Sequence, residues 1–209
     1  MKREFTTAET DPGRLALTLK AVVVPRPIAW ISTVSADGVT NLAPHSFFTV
    51  ASEVPPIVQF TSIGSKDTLA NVEQTGEFVV CLAGRELLAE VNRSGTNYPP
   101  EVSEFEELGI ETEPSGKVIP PRVRRSPAAI ECRLAGTVPF GNATVVFGQV
   151  ESIAIDEEVL DDDHPDVRRL DPMARLGRNE WTTLGEVLEL DRIPFRPTTP
   201  RGRMNRYRR

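Results

Sequence analysis

The sequence predicts a mainly β protein: an antiparallel Greek-key barrel or sandwich with a few flanking helices. Three observations carry this. About six or seven segments rich in β-branched and aromatic residues read as strands. Turn signals, with Asp37-Gly38 the clearest, join some of them directly. Strand–helix alternation is too sparse for a doubly wound parallel sheet.

The elements follow in order. Residues 1–20 read as an irregular N-terminal arm with a short helix, "GRLALTLK". In "PIAWISTVSADGVTNLAP" a strand runs through Trp30, Ile31 and Val34, turns at Asp37-Gly38 and returns through "VTNLA". "SFFTVAS" and "PPIVQFTS" read as two more strands, with Pro55-Pro56 at their join. Residues 65–75 read as a helix that Ser65 caps and Gly76 stops. "GEFVVCLA" is a further strand and "RELLAEVNRSG" a further helix. From Tyr98 to Pro127 the chain is rich in Pro, Glu and Ser and carries one short helical piece, "SEFEELG". It reads as a long excursion, because the strands "AAIECRLAGTVPF" and "ATVVFGQVESIAI" follow it. "DEEVLDDDHPD" reads as a surface loop, and residues 191–209 as a basic tail.

Composition narrows the function classes. A chain of 209 residues, 39% hydrophobic and 26% charged, can bury a core without staples. Cys81 and Cys132 form no CxxC and no Cys/His cluster, so free thiols and a reducing, cytoplasmic compartment are expected. No apolar stretch follows "MKREFTTAET", so no signal peptide is expected, and no apolar run is long enough to span a bilayer. Net charge is −6, yet "RGRMNRYRR" holds five arginines, so the remaining chain carries −11. An acidic body argues against nucleic-acid binding.

Two stretches carry candidate chemistry. "TSIGSKDTLANV" places Ser62, Ser65, Thr68, Lys66 and the permissive Gly64 where a strand enters a helix. A helix mouth offers unpaired N–H groups and the positive end of the dipole, as a phosphate requires. The Walker pattern is absent. The alternative is a capped surface helix with Lys66 and Asp67 in water. In "NLAPHSFF" the polar Asn41, His45 and Ser46 stand beside Phe47 and Phe48. A flat heteroaromatic ligand suits such a mixture; the alternative is a core strand with His45 at the surface. His164, in the acidic run, reads as a surface residue. No GxSxG, metal-ligand spacing or paired acid/base carboxylates appear. Catalytic residues are therefore not assigned, and an enzyme built this way leaves its chemistry to a cofactor.

Taken together, "RPIAWISTVSADGVTNLAPHSFF", "PPIVQFTSIGSKDTLANVEQTGEFVV" and "PPRVRRSPAAIEC" resemble the flavin reductase-like, FMN-binding split-barrel family. The match runs from about Val24 to Leu134 and continues through "RLGRNEWTTLGEV". The resemblance implies a split β-barrel over residues 21–190, paired as a homodimer, with FMN near the interface. It implies that Pro44, His45 and Ser46 face the polar edge of the isoalloxazine. Thr61, Ser62 and Ile63 would run beside the ribityl chain, and Ser65, Lys66 and Thr68 would hold the phosphate. Arg26 and Asn41 are further carry-overs. The activity implied is hydride transfer from NADH or NADPH to FMN, with a monooxygenase or another electron acceptor as partner. The alternative is an FMN-binding electron carrier or flavin sensor without reductase turnover. The chain departs from the family at Trp181, where a tyrosine is common, and in the polar insert "DDDHPDVRR".

Overall fold

The alternating strand pattern becomes one curled sheet in the computed structural model, which describes residues 1–194. The expected basic tail lies largely outside those residues. In chain order the elements are α1 (Pro12–Val22), β1 (Arg26–Pro27), β2 (Ala29–Val34), β3 (Thr40–His45), β4 (Phe48–Ser52), β5 (Ile57–Ile63), α2 (Asp67–Thr75) and β6 (Glu77–Leu82). They continue with α3 (Leu88–Ser94), α4 (Glu104–Leu108), β7 (Thr112–Glu113), β8 (Arg122–Val123), β9 (Ala128–Phe140) and β10 (Ala143–Ile155). The last are β11 (Leu160–Asp161), β12 (His164–Pro165), α5 (Val167–Leu170), β13 (Ala174–Arg175) and β14 (Trp181–Thr182).

Seven strands form one sheet in the order β3-β2-β6-β9-β10-β5-β4, and its neighbouring strands pair antiparallel. Its two edge strands, β3 and β4, are separated in sequence only by Ser46 and Phe47. So short a link forces the sheet to curl until its edges meet. Thr61 N–H donates to the Phe47 carbonyl at 2.9 Å, which carries the β4–β5 ladder on into the link, and β3 and β4 form no ladder of their own. The result is a split barrel, as the resemblance implies. The β5–β6 connection, through α2, passes between strands that are not neighbours and supplies the Greek-key character.

Strand alternation divides the core in two. Ala29, Ile31, Phe60, Phe78, Val80, Cys132 and Val146 fill the barrel interior with Leu69 and Val72 of α2. Trp30, Leu42, Val79 and Cys81 point outward and are covered by Leu87, Val91, Phe105 and Val123. β2 therefore has both faces buried. Trp30 Nε1 donates to Ser94 Oγ at 2.8 Å, which pins the end of α3 to the barrel. The polar excursion is folded too. Glu131, fully buried on β9, accepts from Gly116 N at 2.9 Å and Lys117 N at 2.6 Å and pairs with Arg122. Glu77 accepts from Ile119 N at 2.8 Å.

Two expectations need correction. The helix expected over 65–75 begins at Asp67, and Lys66, not Ser65, is its N-cap. Gly64 reverses the chain at φ 72°, its N–H held by the Asn142 carbonyl at 2.8 Å, so Lys66 is still extended. The first helical bond runs from Ala70 N to the Lys66 carbonyl at 3.1 Å. Gly76 ends the helix at φ 74°, as expected. The acidic run is not simply a loop: a 3₁₀ turn over Glu157–Val159 and the β11–β12 ribbon order it. After α5 the chain lays β13 against β1 and β14.

Candidate functional site

The seam opens into a cavity of about 520 Å³ between the β3–β4 link, the end of β5, the mouth of α2 and the loop after α3. That volume is within the usual range for small-molecule and cofactor sites, about 300–1,000 Å³. Of the expected residues, Asn41, Pro44, His45, Ser46, Thr61, Ile63, Ser65, Lys66 and Thr68 line it. Ser62 does not: β5 alternates, so Thr61 and Ile63 face the cavity while Ser62 is fully buried on the other side. Arg26 lies beyond the cavity, in a neighbouring one.

The mouth of α2 has the features of an anion site. Its N-cap makes no side-chain hydrogen bond, so the first-turn N–H groups keep their donors. Ser65 and Lys66 are exposed beside them. Gly64 has open space where a Cβ would stand, leaving the backbone approachable. Lys66 Nζ is held by Asn97 Oδ1 at 2.7 Å, which brings the loop after α3 to the same rim.

Behind the mouth lies a buried polar network. Thr68 Oγ1 donates to Asn41 Oδ1 at 3.0 Å. Asn41 Nδ2 donates to both Glu104 carboxylate oxygens at 3.0 Å, and Leu42 N donates to Glu104 Oε2 at 2.9 Å. Asn71 Nδ2 donates to Thr33 Oγ1 at 3.0 Å, and Thr33 reaches Asn41 Oδ1 at 3.3 Å. Thr68 and Asn41 are thus occupied in positioning the turn. Burial raises the Glu104 carboxyl above its usual range, against the lowering effect of these donors.

His45 is the second notable group. Burial, assisted by repulsion from Lys66 and opposed by the Thr61 carbonyl, lowers its pKa to about 4, so it is neutral near pH 7. Its Nδ1 lies 3.3 Å from the Thr61 carbonyl, which can only accept, so Nδ1 carries the proton. Nε2 is then a buried acceptor, and it has no partner among the described residues. His45 lines the cavity, and a ligand N–H that reached Nε2 would satisfy it; an isoalloxazine has one between its two carbonyls. With Phe47 as an apolar wall, a hydroxyl at Ser46 and an uncapped helix beside Lys66, the residues fit FMN.

The sequence did not single out Lys20, Ser94, Thr96, Asn97, Tyr98 or Glu104, which also line the cavity. Asn97 stands just before the Pro-rich excursion, and nothing local in the sequence ties it to Lys66. Cys81 and Cys132 are buried free thiols whose pKa burial pushes up to about 12, which makes them inert. No cluster of metal ligands occurs among the described residues. His164 is exposed, as expected.

The family model described as "Flavin reductase like domain" matches residues 21–171. An uncharacterized protein of Aquifex aeolicus is 37% identical over 180 residues, covering 83% of this chain and 92% of its own. Nitrilotriacetate monooxygenase component B from Bacillus cereus superposes with a TM-score of 0.87 at 27% identity, covering 91% of this chain and 99% of that one. The 2-nitrobenzoate 2-nitroreductase NbaA of Pseudomonas fluorescens gives 0.85 at 27% identity, covering 94% and 99%. With a barrel split at its seam and a cavity at that seam, the chain belongs to the flavin reductase-like family.

Proposed function

We propose that this protein binds FMN in the seam cavity and reduces it with NADH or NADPH. The observation that carries the reading is the pairing of an uncapped helix mouth beside Lys66 with the partnerless acceptor of His45 in one cavity. When bound, FMN supplies the hydride chemistry. The chain supplies binding and orientation. Ser65, Lys66 and the first N–H groups of α2 take the phosphate, Thr61 and Ile63 flank the ribityl chain, and Pro44, His45 and Ser46 meet the ring edge. Thr68 and Asn41 fix the phosphate turn from behind. Lys20 and Lys66 provide positive potential that favours extra negative charge in the cavity.

The similarity to a monooxygenase component B supports delivery of reduced flavin to an oxygenase or to another electron acceptor. Homodimerisation completes the site. Phe47 and Ile63 line the cavity yet are 37% and 46% exposed, an apolar wall open for a second copy to cover. The two buried thiols are consistent with the reducing cytoplasm. No helix among the described residues is long and apolar enough to cross a membrane.

The test is an absorbance spectrum of the FMN-loaded protein during anaerobic addition of NADH, then NADPH. Bleaching of the flavin band is expected with at least one. A flavin band that persists with both rejects the reductase reading and leaves a carrier or sensor. Failure to bind FMN at all rejects the site.

A further inference from the structure

A second cavity, of about 350 Å³, adjoins the first and shares Lys20, Pro44, Ser46 and Gly95 with it. Its charge is one-sided. Lys20, Arg26, Arg175 and Arg178 line it, and among the described residues no carboxylate does. Arg85, Arg122, Arg124, Arg125, Arg133 and Arg169 all have acidic partners elsewhere in this chain. The four cations of this cavity have none among the described residues.

Arg26 is the least ordinary of them. It is 7% exposed, and its guanidinium donates to the carbonyls of Lys20, Val23 and Leu176. Carbonyls satisfy donors but cancel no charge. Its Nε is buried without a partner among the described residues. In the β1–β13 ladder Arg26 stands directly opposite Arg175, and like charges in that relation destabilise a sheet. Burial and the Arg175 charge both lower the Arg26 pKa. Arg175 is held over the Trp181 ring, 4.5 Å from its centroid, and donates to the Arg178 carbonyl at 3.1 Å. Arg26 and Arg175 are thus held in place, and with Lys20 and Arg178 they make a cavity wall of cations without a carboxylate among the described residues.

We propose that this cavity is an anionic subsite for the phosphoryl groups of the nicotinamide dinucleotide, distinct from the phosphate turn at α2. The nicotinamide ring enters the first cavity over the shared wall of Pro44 and Ser46, and the pyrophosphate meets Arg175 and Arg178 in the second. Guanidinium pairs suit phosphoryl oxygens through charge-assisted, two-pronged hydrogen bonds. The proposal rests on the reading that a dinucleotide reduces bound FMN.

The test uses the FMN-loaded full chain carrying Arg175→Gln with Arg178→Gln, and Arg178→Gln alone in case loss of the Trp181 contact unfolds the double variant. Anaerobic stopped-flow reduction is followed with NADH, NADPH and 1-benzyl-1,4-dihydronicotinamide, which has no phosphate. Calorimetry with ADP-ribose measures the subsite without hydride transfer. Each lost guanidinium is expected to raise the half-saturating dinucleotide concentration and the ADP-ribose Kd about ten-fold or more. FMN affinity and reduction by the benzyl compound stay near wild type. Unchanged dinucleotide and ADP-ribose constants in both variants overturn the proposal, as does a loss of FMN affinity as large as that for the dinucleotide. If the wild type binds ADP-ribose in an arginine-dependent way but never bleaches, the reductase reading fails and the anionic subsite stands.

Discussion

The Thr68 hydroxyl, on the first turn of α2, lies 3.0 Å from the Asn41 amide oxygen on β3. This contact joins the helix that offers its N-terminus to the strand that ends at His45. Asn41 passes the connection on to Glu104 of α4. Three elements distant in sequence are thus locked into one wall, and the position of the anion site is set by buried groups rather than by the exposed Lys66.

Asn41→Ala breaks that wall. The Glu104 carboxylate, 4% exposed, loses the amide donor that reaches both of its oxygens and keeps Leu42 N. A buried acceptor left short of donors costs about 1–3 kcal/mol. Urea denaturation of the apo-protein should show a loss of that size, and FMN affinity should fall because Thr68 no longer fixes the turn. Asn41→Asp would set a second carboxylate against Glu104 and should be worse than Ala.

Lys66 carries the charge at the turn while contributing little to the fold. It is exposed, and its side chain bonds only to Asn97 among the described residues. Lys66→Met should leave the melting temperature of the apo-protein within about 2 °C of wild type, since exposed substitutions change stability little. A lost charge-assisted contact is worth about 1.5–3 kcal/mol, so FMN binding, followed by quenching of flavin fluorescence, should weaken about 10- to 150-fold. Ser65 is not the N-cap, so Ser65→Ala should also spare stability. If the Ser65→Ala, Lys66→Met pair keeps wild-type FMN affinity, the phosphate lies elsewhere.

Two groups give stability opposite pH dependences. The native His45 pKa is lowered to about 4 from 6.5, so the unfolded chain takes up the proton first. Its contribution is present above about pH 6.5 and is lost as pH falls through about 4, amounting to at most about 3 kcal/mol. Glu104 is raised by burial, so the native state holds its proton longer. Its contribution is present below the unfolded value near 4.3 and is lost as pH rises through the native pKa. Denaturation of the apo-protein between pH 4 and 7 separates them. His45→Phe should flatten the loss toward acid, and Glu104→Gln should remove the loss toward neutral. A His45→Phe profile identical to wild type would place the imidazole in water and remove its buried acceptor.

The barrel was legible because strand alternation is a local signal, and so was the helix mouth, because Gly64, Ser65 and Lys66 are adjacent. The position of each side chain within those stretches was less so. Ser62 looked equivalent to Thr61 and Ile63, but alternation along β5 turns it inward. Ser65 had the composition of a cap, but the reversal at Gly64 moved the helix start past it. Glu104 sits in a polar, proline-flanked segment and reads as solvated. Only its 62-residue separation from Leu42, closed by the fold, makes it a buried acceptor. The Arg26–Arg175 pair is equally non-local, being created by a ladder between the two ends of the domain.

The barrel interior offers a last prediction. Gly148 sits on β10 at a register irregularity, where a Cβ would stand 2.2 Å from Phe78 Cζ and 3.0 Å from Cys132 Cβ. Phe78 is fully buried and packs edge-on against Phe60, which in turn meets the His45 ring at 4.9 Å. Gly148→Ala therefore forces Phe78 out of place, and overpacking of this kind costs about 1–3 kcal/mol. The displacement should pass through Phe60 to the cavity wall, so FMN affinity should fall along with the urea midpoint. Gly148→Ala combined with Phe78→Leu opens room for the new methyl group and should recover part of both losses. A double variant no better than Gly148→Ala alone would show that the clash lies in the β10 backbone rather than against the Phe78 ring.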